Sequence, residues 1–219
     1  VASLPGVAPD LRVVSLYRAG ESARMEGKAD EADRYYQETV AAHHAAPETL
    51  PEVAGKALFR RAEFRFRRYQ ELAILPPLEK TFEAKQSTLG ECAKLYLEAI
   101  PLGDAGTVSA SLHRLGEAFE DFRSAILASP LPKRLSDRER EEYAFLLEEK
   151  AAPIEEKAVE AYRRNLRQAV AAEYFSDWVG KSLQRLKILR PARFGKKGEY
   201  AFPVVTVPDF RGMIERSFP

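Results

Sequence analysis

One short spacing constrains this chain more than any other feature: a small residue followed four positions later by an aromatic one. It occurs at five pairs: Ala32/Tyr36, Ala62/Phe66, Cys92/Tyr96, Ala118/Phe122 and Ala158/Tyr162. Successive pairs lie 30, 30, 26 and 40 positions apart. Positions i and i+4 share one face of a helix, and recurrence at about 20–50 residues is typical of stacked repeats. The spacing therefore predicts a series of similar packed helices.

Two copies share more than this spacing. Residues 89–100 read LGECAKLYLEAI and residues 115–126 read LGEAFEDFRSAI. Prolines separate the helix-forming stretches, and the short gaps between them predict antiparallel neighbours. The predicted helices lie near residues 21–44, 51–74, 77–100, 105–128, 136–151, 153–173 and 176–189. Ser136 or Asp137 caps the fifth helix, and Pro153 either opens the sixth or kinks one long helix.

The copy around Ala118 resembles part of a known repeat. Its residues are Leu115-Gly116, Ala118, Phe122, Ala125 and Pro130. Small residues where helices touch, with a proline just after the second helix, are the pattern of the tetratricopeptide repeat, so this segment is similar to the second half of that repeat. It departs from the family in placing Leu-Gly immediately before the small residue. Its spacing also strays from the family period of about 34 residues.

The resemblance implies an all-α fold of antiparallel helical hairpins, stacked as a divergent, tetratricopeptide-like right-handed α-solenoid. The sequence changes character after Arg190, which divides the chain into a helical repeat domain, residues 1–190, and an extended C-terminal tail, residues 191–219. Residues 136–200 are also similar in texture to the C-terminal parts of tetratricopeptide proteins in the gliding-motility machinery of deltaproteobacteria. That second resemblance implies a bacterial envelope or periplasmic location.

Composition excludes several classes of protein. A net charge of +1 over 219 residues gives no general attraction to nucleic acid, so no nucleic-acid partner is expected. No apolar run approaches the roughly 18–20 residues that span a membrane. The single cysteine, Cys92, occupies a small-residue position of the repeat. We therefore expect it to be buried and chemically inert.

The residues predict no catalytic, metal or cofactor site. Gly180-Lys181-Ser182 matches the end of a phosphate-binding loop, but that loop needs a glycine where this chain has Phe175. His43 and His44 are adjacent on a helix, so they point about 100° apart and are poor co-ligands for a metal. We therefore predict a protein that is not an enzyme and has no cofactor.

Residues 59–69, FRRAEFRFRRY, form the first candidate partner site. On a helical wheel, Phe66 lies on the apolar stripe that faces the core. Phe64 lies on the opposite side, among basic side chains. The candidate partner-binding residues are Arg60, Arg61, Phe64, Arg67 and Arg68. Arginine and aromatic side chains are enriched at interface hot spots. The alternative is that these arginines pair with acids on the next helix, namely Glu79, Glu83 or Glu91.

A second candidate site is the basic stretch between Val179 and Gly198, which contains no acidic residue. Its candidate partner-binding residues are Lys181, Arg185, Arg193, Lys196 and Lys197. The stretch fits an acidic protein segment or an anionic membrane surface, or it is a solvated end of the domain. Residues 200–208, YAFPVVTVP, are too apolar to remain in water. They fold back on the last helix pair or bind another chain.

These observations lead to three functional hypotheses. The first is a non-enzymatic scaffold or adaptor that binds a protein or peptide, because helical arrays offer extended surfaces without a polar pocket. The second is a module that binds a small ligand or a glycan in a deep pocket. The third is a non-catalytic part of a larger enzyme. The sequence leaves the partner and the oligomeric state open.

Overall fold

The computed structural model describes residues 8–131 and 135–195, and in those ranges the chain forms helices and no strand. The helices are α1 Pro9–Met25, α2 Ala29–Ala45, α3 Pro51–Gln70, α4 Leu78–Ala99, α5 Ala105–Leu127, α6 Asp137–Ala171, α7 Asp177–Leu189 and α8 Pro191–Phe194. The predicted all-α class is confirmed.

Local signals explain where several helices begin. A proline stands in the first turn of α1, α3 and α8, where its missing N–H costs nothing. The Asp104 side chain accepts a hydrogen bond from the Thr107 N–H, 2.8 Å away, and so caps α5. Ser136, one of the two predicted caps, forms a capping box with Glu139 at the start of α6.

The prediction of a single first helix over residues 21–44 is wrong. The chain forms α1 and α2 there, and α1 begins earlier, at Pro9. Gly27 separates them with φ +78°, the left-handed conformation that favours glycine. The N–H of Gly27 donates to the Arg24 carbonyl and that of Lys28 to the Ala23 carbonyl, the paired bonds of a Schellman motif.

Two further points of the prediction are decided by the structure. Of the two alternatives for Pro153, the structure has one long helix: the helices predicted over 136–151 and 153–173 form a continuous α6 that runs through the proline. The proline ring lies on the exposed side of the helix, and its missing N–H removes one backbone hydrogen bond. Residues 191–194, expected in the extended tail, form α8, whose Phe194 is buried. The rest of that tail, 196–219, lies outside the described residues.

The helices pack as successive neighbours in two layers. Each helix contacts the next one in sequence, and the odd-numbered helices α1, α3, α5 and α7 also contact one another in turn. Within the described chain, α2 does not contact α4, and α4 does not contact α6. The odd-numbered helices therefore form one layer. The even-numbered helices form the other, with spaces between them.

The repeated pairs supply the core, as their spacing predicts. They lie on α2 to α6, where all five small residues have 0% exposure and no aromatic partner exceeds 4%. Cys92 is among them, and burial raises the pKa of its thiol to about 12. Such a thiol carries almost no reactive thiolate at neutral pH.

A polar cluster recurs beside this core once in every two helices. In each cluster a buried Tyr hydroxyl donates a hydrogen bond to a Glu of the preceding helix, and an Arg of the following helix pairs with the same Glu. The three clusters are Tyr36–Glu21–Arg60, Tyr96–Glu63–Arg114 and Tyr162–Glu120–Arg185. Burial is the largest cause of a raised pKa at each Tyr, so each remains a donor. The structural unit is thus a helix pair.

Two glycines allow the tyrosines to come close to the helices of the other layer. A Cβ at Gly20 would lie 2.6 Å from the Tyr36 ring, and one at Gly116 would lie 2.5 Å from the Tyr162 ring. Both distances are below those of normal carbon contacts. Any side chain at either glycine would push a buried ring out of place.

Candidate functional site

The arginines of the first candidate set fall into two groups. Arg60 Nε lies 2.9 Å from Glu21 on α1, and Arg61 Nε lies 3.0 Å from Asp33 on α2. The ion pairs thus lead back to preceding helices and not to Glu79, Glu83 or Glu91, the acids of the alternative. Arg67 and Arg68 are exposed, and no ion-pair partner for either occurs among the described residues.

Phe64 does not stand free among these arginines. Its ring centroid is 6.2 Å from that of Tyr36, and the side chain is half-buried against the cluster of apolar residues that joins α2 and α3. Phe66 is 2% exposed, in line with its predicted place on the core stripe. The geometry brings together Arg60, Arg61 and Phe64 as parts of helix packing. A partner site on this set remains a prediction.

The basic stretch is also partly used within the fold. Arg185 Nε lies 2.8 Å from Glu120, inside the third polar cluster, and Lys181 Nζ lies 4.5 Å from the centre of the Trp178 ring. Arg193 is on α8. Lys196 and Lys197 lie outside the described residues, so the proposed contact of this stretch with a partner or a membrane surface remains a prediction.

The tripeptide Gly180-Lys181-Ser182 lies inside α7, where Ser182 is fully buried. Its hydroxyl accepts a hydrogen bond from the Asn165 amide at 2.9 Å and lies 3.0 Å from His113 Nδ1. Burial lowers the pKa of His113 to about 4, so this contact involves a neutral ring at pH 7. Ser182 therefore holds α5, α6 and α7 together and faces no space for a phosphate.

An open cavity lies between α4 and α6, which do not contact each other, and over α5, which contacts both. It is a groove of about 650 Å³, and its floor is formed by Phe119, Phe122 and Ile126 of α5. One wall is formed by α4 and by Ile74, which precedes it. The α4 residues of this wall are Leu78, Glu79, Phe82, Gln86, Leu89, Gly90 and Ala93. The wall residues from α6 are Tyr143, Leu147, Lys150, Ile154 and Lys157. We call this cavity the α5 groove.

The wall from α6 is an unusual piece of helix. No residue from 137 to 150 is buried, whereas burial begins at Ala151. Tyr143 and Leu147 are spaced i, i+4 and face the groove, while Phe145 and Leu146 on the same stretch are 70% and 52% exposed. This half of α6 therefore presents apolar side chains to the groove and to solvent.

Three of the residues that line the groove are charged. Lys150 and Lys157 lie on the α6 side, and Glu79 lies on the α4 side. Lys157 Nζ stands 5.8 Å above the Phe119 ring. The lining is thus mainly apolar, with basic residues contributed by α6 and an acidic one by α4. Such a lining is suited to an amphipathic guest.

Sequence reasoning missed this groove. One signal was present: Tyr143, Leu147 and Ile154 recur at helical spacing within a highly charged segment. That α4 and α6 stand apart depends on tertiary packing, which no local spacing encodes.

Comparisons with known proteins identify no relative. Neither a protein-family model nor a curated protein nor a solved structure matches this chain. Across residues 8–131 and 135–195, no group of three or more His, Cys, Asp and Glu is arranged to hold a metal ion. In the same ranges no helix has the length and apolarity needed to cross a membrane.

Proposed function

We propose that the chain is a non-enzymatic protein-interaction module, a divergent tetratricopeptide-like α-solenoid that binds an apolar segment of a partner protein in the α5 groove. The observation that carries the proposal is the groove itself: three helices line it with aromatic and aliphatic side chains, yet nothing in the described chain fills it. Exposed apolar grooves of this kind mark interaction sites in water-exposed proteins.

The dimensions favour a helical or extended peptide. Lys157 lies fourteen positions after Tyr143, so the α6 wall is about 21 Å long at the α-helical rise of about 1.5 Å per residue. About four turns of a partner helix fit that length. An amphipathic helix would place its apolar i, i+4, i+7 residues against Phe122 and Leu147 and its polar face in solvent.

The lining favours this proposal over the glycan alternative. A sugar must exchange its hydration for several directed hydrogen bonds. The floor residues Phe119, Phe122 and Ile126 have apolar side chains, and most of the remaining lining is aromatic or aliphatic. The volume of the groove lies within the range of small-molecule sites, roughly 300–1,000 Å³, so an apolar small ligand is the second candidate. Such a ligand and a partner peptide would compete for the same groove.

Photo-crosslinking at Gly90 tests the proposal, because Gly90 lines the groove and has nothing within 4 Å of its Cβ position. Gly180, equally open on α7, is the matched control. A photoreactive residue at position 90 in the source cells should capture a partner segment that position 180 does not. Mass spectrometry then identifies the cross-linked peptide, and its dissociation constant is measured by fluorescence anisotropy.

The groove-filling variant Gly90→Tyr should weaken that dissociation constant at least tenfold, whereas Gly180→Tyr should leave it unchanged. Both add the same side chain to an exposed helical position, so a general effect on folding would appear in both. Unchanged affinity in Gly90→Tyr, with loss in Arg67→Glu or Arg68→Glu, would move the binding site to the arginine set. Competition by an acyl chain without any peptide cross-link would favour the small-ligand alternative.

A further inference from the structure

A second apolar surface lies at the C-terminal end of the array. Helices α3 and α5 each contact two long even-numbered helices, whereas α7 contacts only α6 among these and is followed by the four-residue α8. A depression of about 420 Å³ lies there, lined by Arg163, Leu166, Arg167, Val170, Leu183, Arg193 and Phe194. We call it the end face.

The end face lacks the cover that a next helix would give. Val170 is 61% exposed, and its neighbours Leu166 and Leu183 are only half-buried. Helical arrays need a polar or covering element at each end, because the terminal unit otherwise exposes the surface that would bury against a next repeat. Something must therefore cover the end face in the folded protein.

The chain itself continues from this surface. Phe194 lines the end face, Gly195 follows it, and 24 residues, 196–219, come after Gly195. Only residues 196–199 separate Gly195 from the apolar segment 200–208. Four extended residues span at most about 13 Å, roughly one helix diameter. The apolar segment therefore starts within reach of the end face, and no long loop has to be ordered to bring it there.

The segment has the chemistry that the end face needs. In an extended chain alternate side chains share one side, so Tyr200, Phe202 and Val204 can face the depression together. The segment is flanked by Glu199 and Asp209. On the end face, Arg163 and Arg167 share a single acid, Glu160, at 3.5 and 2.5 Å. The surface is therefore positively charged where the segment's flanks are negative.

We propose that residues 200–208 bind in cis to the end face, with Tyr200, Phe202 and Val204 packed against Leu166, Val170 and Leu183. The tail then acts as the terminal cap of the array. The inference does not rest on the α5 groove, because the groove and the end face have no lining residue in common. The two proposals can therefore fail separately.

Limited trypsin digestion of the full chain provides the first test. The probe is cleavage after Arg211, followed by mass spectrometry, because Arg211 lies three residues after the segment. Val170→Asp puts a charge into the end face at a position already 61% exposed, so the fold is retained. Leu146→Asp, at a 52% exposed leucine on the same helix, is the matched control.

Cleavage after Arg211 should become at least fivefold faster in Val170→Asp and should stay at the wild-type rate in Leu146→Asp. Equal rates in the two variants would overturn the proposal. Faster cleavage in Gly90→Tyr than in Val170→Asp would also overturn it, since the tail would then lie in the α5 groove. Circular dichroism verifies that each variant keeps its helix content.

A labelled peptide of residues 196–219 provides the second test. Every buried hydrophobic residue in the part of the chain that the structure describes lies between Val13 and Phe194, so a chain ending at Gly195 keeps all of them. That chain should bind the peptide at least tenfold more tightly than the full chain does, because a tail in cis has a millimolar effective concentration. Val170→Asp should abolish the difference. Equal affinity of the full and shortened chains would contradict binding in cis.

Discussion

Helices α3 and α5 occupy the same place in successive helix pairs, yet the spaces beside them differ. On α3, Arg61 and Arg65 each lie 3.0 Å from Asp33 of α2, and Arg65 Nε lies 3.8 Å from Glu91 of α4. On α5, Phe119, Phe122 and Ile126 form the floor of an open groove. The first space is bridged by charges of the chain itself, whereas the second is apolar and unfilled.

The same packing arrangement thus gives two chemically different surfaces. Bridging guanidinium groups fix the distance between α2 and α4 and present a polar surface that needs no cover. An apolar floor leaves free energy that a guest can gain by burying it, at about 25 cal/mol per Å². The space beside α3 is therefore closed by ion pairs of the chain itself, and the space beside α5 is where the proposed guest would be buried.

The largest expected effect separates core from groove wall. Phe66→Ala should lower the free energy of unfolding by about 3–5 kcal/mol, because the ring is 2% exposed. Phe82→Ala should cost about 1 kcal/mol, roughly half the gain of full burial, because this ring lines the groove and is half-exposed. Urea denaturation measures both. Equal losses would mean that the groove is filled in the folded protein.

The next effect tests the charged bridge over α3. Asp33→Ala should cost about 1–2 kcal/mol, because it leaves Arg61 and Arg65 without their shared acceptor in a half-buried site. Glu91→Ala is the control, since Glu91 is 58% exposed with one contact at 3.8 Å. That variant should change stability by less than about 0.5 kcal/mol. If both variants cost the same, the bridge does not distinguish the two regions.

Acid should lower the free energy of unfolding by weakening the contact between Glu21 and Arg60 of α3. Burial by itself would raise the pKa of Glu21. The hydrogen bonds from Arg24 and Tyr36 and the charge of Arg60 outweigh burial and lower that pKa to about 2. The unfolded carboxyl has a pKa of 4.5, so the unfolded state binds more protons between these values. The stabilisation is complete above pH 4.5 and is lost as the pH falls toward 2.

Unfolding curves at pH 7, 5 and 3 check this dependence. Glu21→Gln should be less stable than the wild type at pH 7 and should lose less stability between pH 5 and pH 3. His113 acts in the same direction at higher pH, because burial lowers its pKa from 6.5 to about 4. A wild-type slope below pH 4.5 that Glu21→Gln leaves intact would assign the acid sensitivity to other carboxyl groups.

The sequence predicts the core well because the core depends on local spacing. Ala62 and Phe66, like the other four pairs, are buried because positions four apart share a helix face wherever the helix packs. A finer signal was also readable: the aromatic is Tyr on α2, α4 and α6 and Phe on α3 and α5. That alternation marks the helix pair as the unit.

The sites follow from long-range geometry instead. Arg60 and Phe64 looked exposed on a single-helix wheel, but the wheel does not show that α1 and α2 cover that side with Glu21 and Tyr36. Likewise, the sequence around Leu147 does not show whether α4 covers this residue. It lines an open groove because α4 and α6 do not contact each other. Local patterns therefore fix which residues are buried along one helix, and the contacts between helices decide which surfaces remain free.

The smallest expected effect is a gain in stability at the groove. Gly90→Ala should raise the free energy of unfolding by about 0.5–1 kcal/mol, because Gly90 lies inside α4 and alanine loses less conformational entropy there. The added methyl meets nothing within 4 Å, so no clash offsets the gain. Gly180→Ala, open in the same way on α7, should gain as much.

Gly20→Ala should lose stability, because its Cβ would lie 2.6 Å from the Tyr36 ring. Thermal and urea denaturation of the three variants would show the order, and a loss in Gly90→Ala alone would reveal that part of the chain already occupies the groove.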